Sequence, residues 1–351
     1  PVSISIFGVA STSLPAALLM QRIGRKRAFV GSALIAALAA LGMAASIALH
    51  NFWTFCASAY FIGANMAFVQ QYRFAAVEFV APALAGRAVS TVMLGTLAAA
   101  LVGPFLGQTV AHVGDWPEFT ATYVALSALC VTASLILTRL PDVVPPPRSD
   151  SPVEGRSLST LLHVPDFRLA VLCGLASYAV MSFIMTATPL SMHVHDGFAT
   201  ADTTRVITAH LLGMYLPSLA APLLVRVLGV RAMMLLGVAA NLACVAISAM
   251  LGHAFVHYFV GLVLLGLGWN LMFVAATTLL TSTYTPQERF RAQGFNDLVV
   301  FGSQATASLL AGTAHETLGW ESLNIATLPL LALVIWAIVS RSFSKFSSGE
   351  A

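Results

Sequence analysis

The sequence predicts an all-α, polytopic membrane protein, and three observations carry the prediction. Of 351 residues, 58% are hydrophobic and only 9% are charged, where a water-soluble domain carries about 25% charged residues. The apolar residues fall into eleven runs long enough to cross a bilayer, a crossing taking roughly 20 helical residues for a hydrocarbon core of about 30 Å. The runs are continuous rather than alternating, which selects helices over barrel strands, because a backbone in lipid must satisfy its own hydrogen bonds.

In chain order the expected spans are 2–21, 28–49, 52–72, 88–110, 119–138, 168–188, 204–225, 231–250, 255–280, 291–313 and 322–340. Glycine and proline inside them are tolerated, as they are in membrane helices generally. Charge placement fixes a topology. If the first span runs from outside to inside, 16 of the 17 lysines and arginines fall on the inner face and only Arg205 on the outer. Basic loops stay cytoplasmic, so the basic loops and the C-terminus are expected inside the cell membrane. The outer loops carry Asp115, Glu118, Asp196, Asp202, Glu316 and Glu321. An error of one helix in the count would scramble this asymmetry.

The net charge of +3 is spread over the inner loops, which sets nucleic-acid binding aside. Cys56, Cys130, Cys173 and Cys244 all fall inside expected spans, without a Cys-x-x-Cys spacing. They read as small apolar packing residues rather than as a disulfide or zinc framework.

The chain repeats itself. A shift of 205 residues superimposes Gly24 on Gly229, Gly63 on Gly268, Asn65 on Asn270, Phe68 on Phe273 and Val69 on Val274. A shift of 204 then matches Pro82 to Pro286, Arg87 to Arg291 and Ala88 to Ala292. Agreement of Gly, Asn, Pro and Arg in register points to a duplicated architecture with two pseudo-symmetric halves. The span at 168–188 pairs with a helix before residue 1, so eleven spans of an expected twelve are present. The expected organisation is an N-terminal half over 1–139, a cytoplasmic linker over 140–166, and a C-terminal half over 167–351. Pro141, Pro145, Pro146, Pro147 and Pro152 make that linker too polar and too broken to be buried.

Between the first two spans runs Ala17-Leu18-Leu19-Met20-Gln21-Arg22-Ile23-Gly24-Arg25-Lys26-Arg27. It resembles the loop signature of the major facilitator superfamily, Gly-x-Leu-x-Asp-Arg-x-Gly-Arg-Lys between helices two and three. Leu19, Arg22, Gly24, Arg25 and Lys26 match, at the place the missing-helix argument requires. Ala17 stands where the family has Gly, and Gln21 where it has Asp. The resemblance implies a twelve-helix transporter in which this loop latches the two halves on the cytoplasmic side, with a charge weakened by the loss of the Asp. Gly103-Pro104-Phe105-Leu106-Gly107-Gln108 is similar to a helix-five pattern of drug antiporters, with its last Gly replaced. Ala59 occupies the place of an Arg that those antiporters carry, which speaks against a standard proton-coupled drug exporter.

Ionisable groups inside a bilayer cost at least about 2.5 kcal/mol at its centre, so each is a functional hypothesis. Thr285-Pro286-Gln287-Glu288 reads as a capping box with Pro at the first helical position. Asp297 then lies roughly 13 Å further along the axis, inside the bilayer. It is a candidate coupling carboxylate, or an inward-facing partner of Arg291 or Arg73. Glu78 is expected at the interface in a loose pair with Arg73. His210, about a turn into its span, is a second coupling candidate.

Asn65 and Asn270 occupy equivalent places on helices four and ten of the family count. The resemblance implies that helices one, four, seven and ten line a central cavity, so these amides are candidates for substrate binding as well as for helix packing. Tyr178, Met181, Ser182 and Met185 share one face of helix seven and are cavity-lining or packing candidates. His193-Val194-His195-Asp196, and His253 with His257, have spacings that suit a metal, but no further ligands accompany them in sequence and no metal site is assigned. No nucleophile constellation or phosphate-cradling loop occurs. The expected function is alternating-access transport of a small organic solute by a monomer in lipid, with H+ as a coupling ion and no cofactor. A non-transporting receptor or assembly partner of the same fold is the alternative.

Overall fold

The computed structural model describes residues 2–78, 80–81, 85–111, 113–114, 116–141 and 155–347, which form helices and no strand. The first group comprises α1 (Val2–Ile23), α2 (Arg25–Ala48), α3 (Phe52–Gln70), the short α4 (Tyr72–Glu78), α5 (Ala85–Val110) and α6 (Thr120–Leu137). The second comprises α7 (Leu158–His163), α8 (Pro165–Pro189), α9 (Thr200–Tyr215), α10 (Ala221–Leu228), α11 (Val230–Met250), α12 (Phe255–Thr281), α13 (Arg289–Ile325) and α14 (Leu328–Ser347). All four cysteines are free.

By length and composition, eight helices among the described residues suffice to cross a membrane, or nine if one bent pair counts as a span. The expected spans 291–313 and 322–340 lie on either side of Gly319, whose φ of 78° and ψ of 173° break the helix between them. The expected span 204–225 is not one straight helix. α9 ends at Tyr215, a 3-10 turn runs over Leu216–Leu219, and the chain bends by 60° into α10. Pro217 and Pro222 each remove a backbone donor from the ladder, so one straight helix cannot form there. Most of the expected linker, 142–154, lies outside the described residues. Its end is less polar in effect than the composition suggests, because α7 buries Leu161 completely.

Two compact units emerge: unit 1 is Pro1–Val92, Ala98–Leu158 and Thr285–Gly302, and unit 2 is Met93–Leu97, Ser159–Tyr284 and Ser303–Ala351. In unit 1, α2 packs on α3 and α6, and α1 on α3. Ala16, Met20, Ala28, Phe29, Ala67, Phe68, Ala75 and Phe290 form a core cluster there. In unit 2, α12 is central and packs on α8, α9 and α11. Trp269, Tyr258 and Phe273 are buried on it. Large apolar side chains such as Leu38, Leu135 and Trp336 are exposed, which suits helices whose outer surface meets lipid rather than water.

The repeat is visible inside each unit. Gly24, between α1 and α2, has φ 84° and ψ 156°, and Gly229, between α10 and α11, has φ 79° and ψ 161°, a backbone region open essentially to glycine alone. The helix contact that follows is also repeated. A Cβ on Gly8 of α1 would strike Tyr60 O of α3, and one on Gly213 of α9 would stand 2.8 Å from Val263 O of α12. Both pairs need bare backbone to approach this closely.

Candidate functional site

The motif turn leads into a buried polar network in unit 1. Gly24 reverses the chain and sets Arg25 at the start of α2, where it is only 5% exposed. A buried guanidinium needs an ionic partner and further acceptors. Its Nε and Nη2 donate to Glu78 Oε2 and Oε1 at 2.9 and 2.7 Å, a two-pronged pair. Nη2 also donates to Gln293 Oε1 at 3.1 Å, Nη1 to Gln71 Oε1 at 3.4 Å, and the cation lies 5.0 Å from the Phe290 ring centre.

Gln71 passes the network on. Its Nε2 donates to Asp297 Oδ2 at 2.7 Å, while Arg73 Nη2 and Asn296 Nδ2 donate to Asp297 Oδ1 at 2.8 and 3.0 Å. Glu78, Arg25, Gln71, Asp297 and Arg73 thus form one continuous chain of hydrogen bonds. Of the two partners expected for Asp297, the structure brings it to Arg73. The expected Arg73–Glu78 pair is corrected: Glu78 is taken by Arg25 and, at 3.4 Å, by Arg289. Residues five apart on a helix do not share a face, so the two ends of α4 turn to different partners. Of the motif residues, Arg22 is exposed and Lys26 partly exposed, and Gln21, where the family has Asp, is exposed.

A second anchor stands immediately before α13. Glu288 reaches back to the Thr285 N–H at 2.9 Å, the acidic half of the expected capping box, although the helix itself opens at Arg289. Arg156 also holds that carboxylate, from its backbone N–H at 2.7 Å and from Nε and Nη2 at 2.8 and 2.9 Å. Arg156 drives the Glu288 pKa down to about 2.

The remaining candidates lie in unit 2, except Asn65. Asn270 Nδ2 donates to Met214 O and Ser218 Oγ, both at 2.6 Å, at the break between α9 and α10. It satisfies a carbonyl at the point where the helix is interrupted. In unit 1, where α1 runs unbroken, Ser13, the residue equivalent to Ser218, donates its hydroxyl to Val9 O at 2.8 Å. Asn65 Oδ1 is left buried without a partner. The two asparagines are therefore equivalent in sequence and different in use.

His210 is fully buried, with Nδ1 2.8 Å from Leu262 O and Nε2 unpartnered. Tyr178 packs edge-on against Trp269 and Phe273 at 5.2 and 5.0 Å. Met181 and Ser182 are buried beside it on α8, and Met185 is half-buried. Gln71, Gln293 and Arg289 were not among the expected site residues. For Gln71 the available signal was the Gln70-Gln71 pair at the end of an apolar run. Of the drug-antiporter-like pattern, the side chains of Pro104 and Gln108 lie outside the described residues, as do those of Pro82 and Arg87.

Lipid-length helices, an internal repeat and a buried charge network at a basic turn define a polytopic α-helical membrane transporter. The chain belongs to the major facilitator superfamily: the model described as Major Facilitator Superfamily matches residues 1–204 and 170–348. It is 36% identical over 353 residues to the riboflavin transporter RfnT of Brucella anthropi, covering 100% of this chain and 88% of that protein. It is 28% identical over 355 residues to the MFS-type transporter YddS of Bacillus subtilis, covering 96% and 81%. Among solved structures it is similar to the major facilitator transporter FucP in the outward conformation, with a TM-score of 0.72 at 14% identity over 97% of this chain and 88% of that one. The chain is an integral membrane protein of the small-solute transporter class.

Proposed function

We propose that the protein carries riboflavin across the membrane by alternating access, with the Gly24 and Gly229 turns on the cytoplasmic side. The observation that carries the substrate is the 36% identity to a riboflavin transporter over the whole chain. Alternating access requires a set of contacts that hold one state and are given up in the other. The chain from Glu78 through Arg25, Gln71 and Asp297 to Arg73 is suited to that role. It is built of charges that lose their partners together, and it includes the motif residue Arg25.

Asp297 is engaged by three donors, so its place is the anion of this latch. His210, with one ring nitrogen bound and the other open, is the coupling candidate for H+. Asn65 and Asn270, each with a buried side-chain oxygen open to an incoming donor, are the substrate-binding candidates. The test is uptake of radiolabelled riboflavin into proteoliposomes holding the purified protein, with and without an imposed pH gradient. Saturable uptake competed by unlabelled riboflavin supports the assignment, whereas accumulation indistinguishable from protein-free vesicles eliminates it. His210→Gln should keep riboflavin exchange between preloaded vesicles and medium while losing the response to the gradient.

A further inference from the structure

Unit 2 holds a second charge cluster, at the end of α11 remote from the Gly229 turn. His253, between α11 and α12, is bound through both ring nitrogens. Nδ1 lies 3.0 and 2.9 Å from the carboxylate oxygens of Asp196, and Nε2 lies 2.7 Å from Glu321 Oε1. Asp196 closes the π-helical turn Leu190–His195 that extends α8. Glu321 lies two residues past the Gly319 kink of α13. A neutral imidazole carries one N–H and turns a lone pair toward its other neighbour. Two ionised carboxylates on opposite nitrogens therefore specify the imidazolium.

The two arms differ in what else holds them. Asp196 also accepts from Tyr258 Oη at 2.6 Å, and Tyr258 in turn meets Ser191 Oγ at 2.5 Å. The Asp196 side chain is 19% exposed, whereas that of Glu321 is 49% exposed. When the ring loses its charge, Asp196 keeps the Tyr258 hydroxyl whichever nitrogen retains its proton, so the more exposed Glu321 is the arm that water can replace.

We propose that His253 is a proton-binding site that clasps the end of α8 to the kink of α13, closed when the imidazole is charged and opened at Glu321 when it is neutral. Burial opposes the charge on His253, but the hydrogen bonds it donates to Glu321 and Asp196 outweigh that and raise its pKa above the ordinary 6.5. For a raised base, the stabilisation is fully present below the ordinary pKa and is lost as pH rises through the folded-state value. The other titratable groups around the cluster are His195 in the π-helical turn after α8, His257 and Tyr258 on α12, and His315 and Glu316 on α13. His257 Nδ1 is held at the Gly252 carbonyl at 3.0 Å, and the His195 and His315 rings meet at 5.1 Å.

The test needs neither substrate nor transport, so it stands apart from the riboflavin assignment. In detergent or nanodiscs, the His253 ring is assigned by comparing isotope-labelled histidine spectra of the wild type and His253→Gln. Hydrogen exchange of residues 190–198 and 316–323, corrected for intrinsic rates, is followed from about pH 6 to about pH 8.5. His253 should titrate above 6.5. Wild-type protection should be lost as pH rises, and His253→Gln should lack it throughout. Glu321→Gln, which leaves Asp196 and Tyr258 in place, should lose protection in 316–323 and lower the His253 titration. A His253 that titrates below 6.5, or the same pH-dependent loss in His253→Gln, overturns the proposal and passes the effect to His195 and His315.

Discussion

Asp297 and Arg73 are 1% and 2% exposed, so the two members of their pair cannot be removed independently at equal cost. Arg73→Ala leaves a carboxylate in the interior of unit 1 and should destabilise the protein by about 3–5 kcal/mol. Replacing both members by apolar residues of similar size should recover most of that loss. Thermal unfolding of both variants in one detergent separates the outcomes: a double variant as unstable as the single one removes the argument. Gly24 makes a different demand. Nothing lies within 4 Å of the place a Cβ would occupy, so Gly24→Ala meets no collision and suffers only from its backbone conformation. That costs about 1–3 kcal/mol, and Gly229→Ala should cost the same because the two turns share φ and ψ. Gly31→Ala, with equally open surroundings and no positive φ, is the control that should be neutral or better.

At the scale of an element, the break between α9 and α10 depends on Asn270. The two prolines weaken the ladder there, and the Asn270 amide ties the Met214 carbonyl and the Ser218 hydroxyl to α12. Asn270→Leu should cost about 1–3 kcal/mol and raise hydrogen exchange over 214–220 ahead of the rest of α9. Exchange that stays unchanged there would mean that the 3-10 turn needs no help from α12. The start of α13 answers to pH. Glu288 is an acid held well below its ordinary 4.5, to about 2, by Arg156. Its contribution is therefore present above about pH 4.5 and fades as pH falls toward 2. Melting temperatures of wild type and Glu288→Gln should differ at neutral pH and converge in acid. A constant gap would assign the loss to packing instead.

For the whole molecule, the prediction concerns sidedness. Single cysteines placed at residues 22 and 226 in a background lacking the four natural ones should react with an impermeant reagent from the same side of the membrane, and one at residue 205 from the other. Labelling of 22 and 226 from opposite sides would break the proposed topology.

Much of this was legible in sequence, because lipid imposes rules that act on composition alone. Continuous apolar runs required helices, and the shift of 205 residues paired Gly24 with Gly229, whose turns share one positive-φ conformation. The same shift also pairs Gly114, at φ 81°, with Gly319, at φ 78°. The motif likewise pointed to Arg25 as a residue worth attention. Partners were not legible. Glu78 lies five residues from Arg73 yet belongs to Arg25, 53 positions away, and Asn65 and Asn270 match in register yet only one mends a broken helix. Sequence by itself determined the solvent of the protein, its helical build and its internal repeat, because hydropathy and backbone conformation are properties of short segments. Tertiary structure alone decided which buried charge neutralises which, and which carbonyl each amide satisfies, because a hydrogen bond depends on distance and direction within about an ångström, which linear order does not encode.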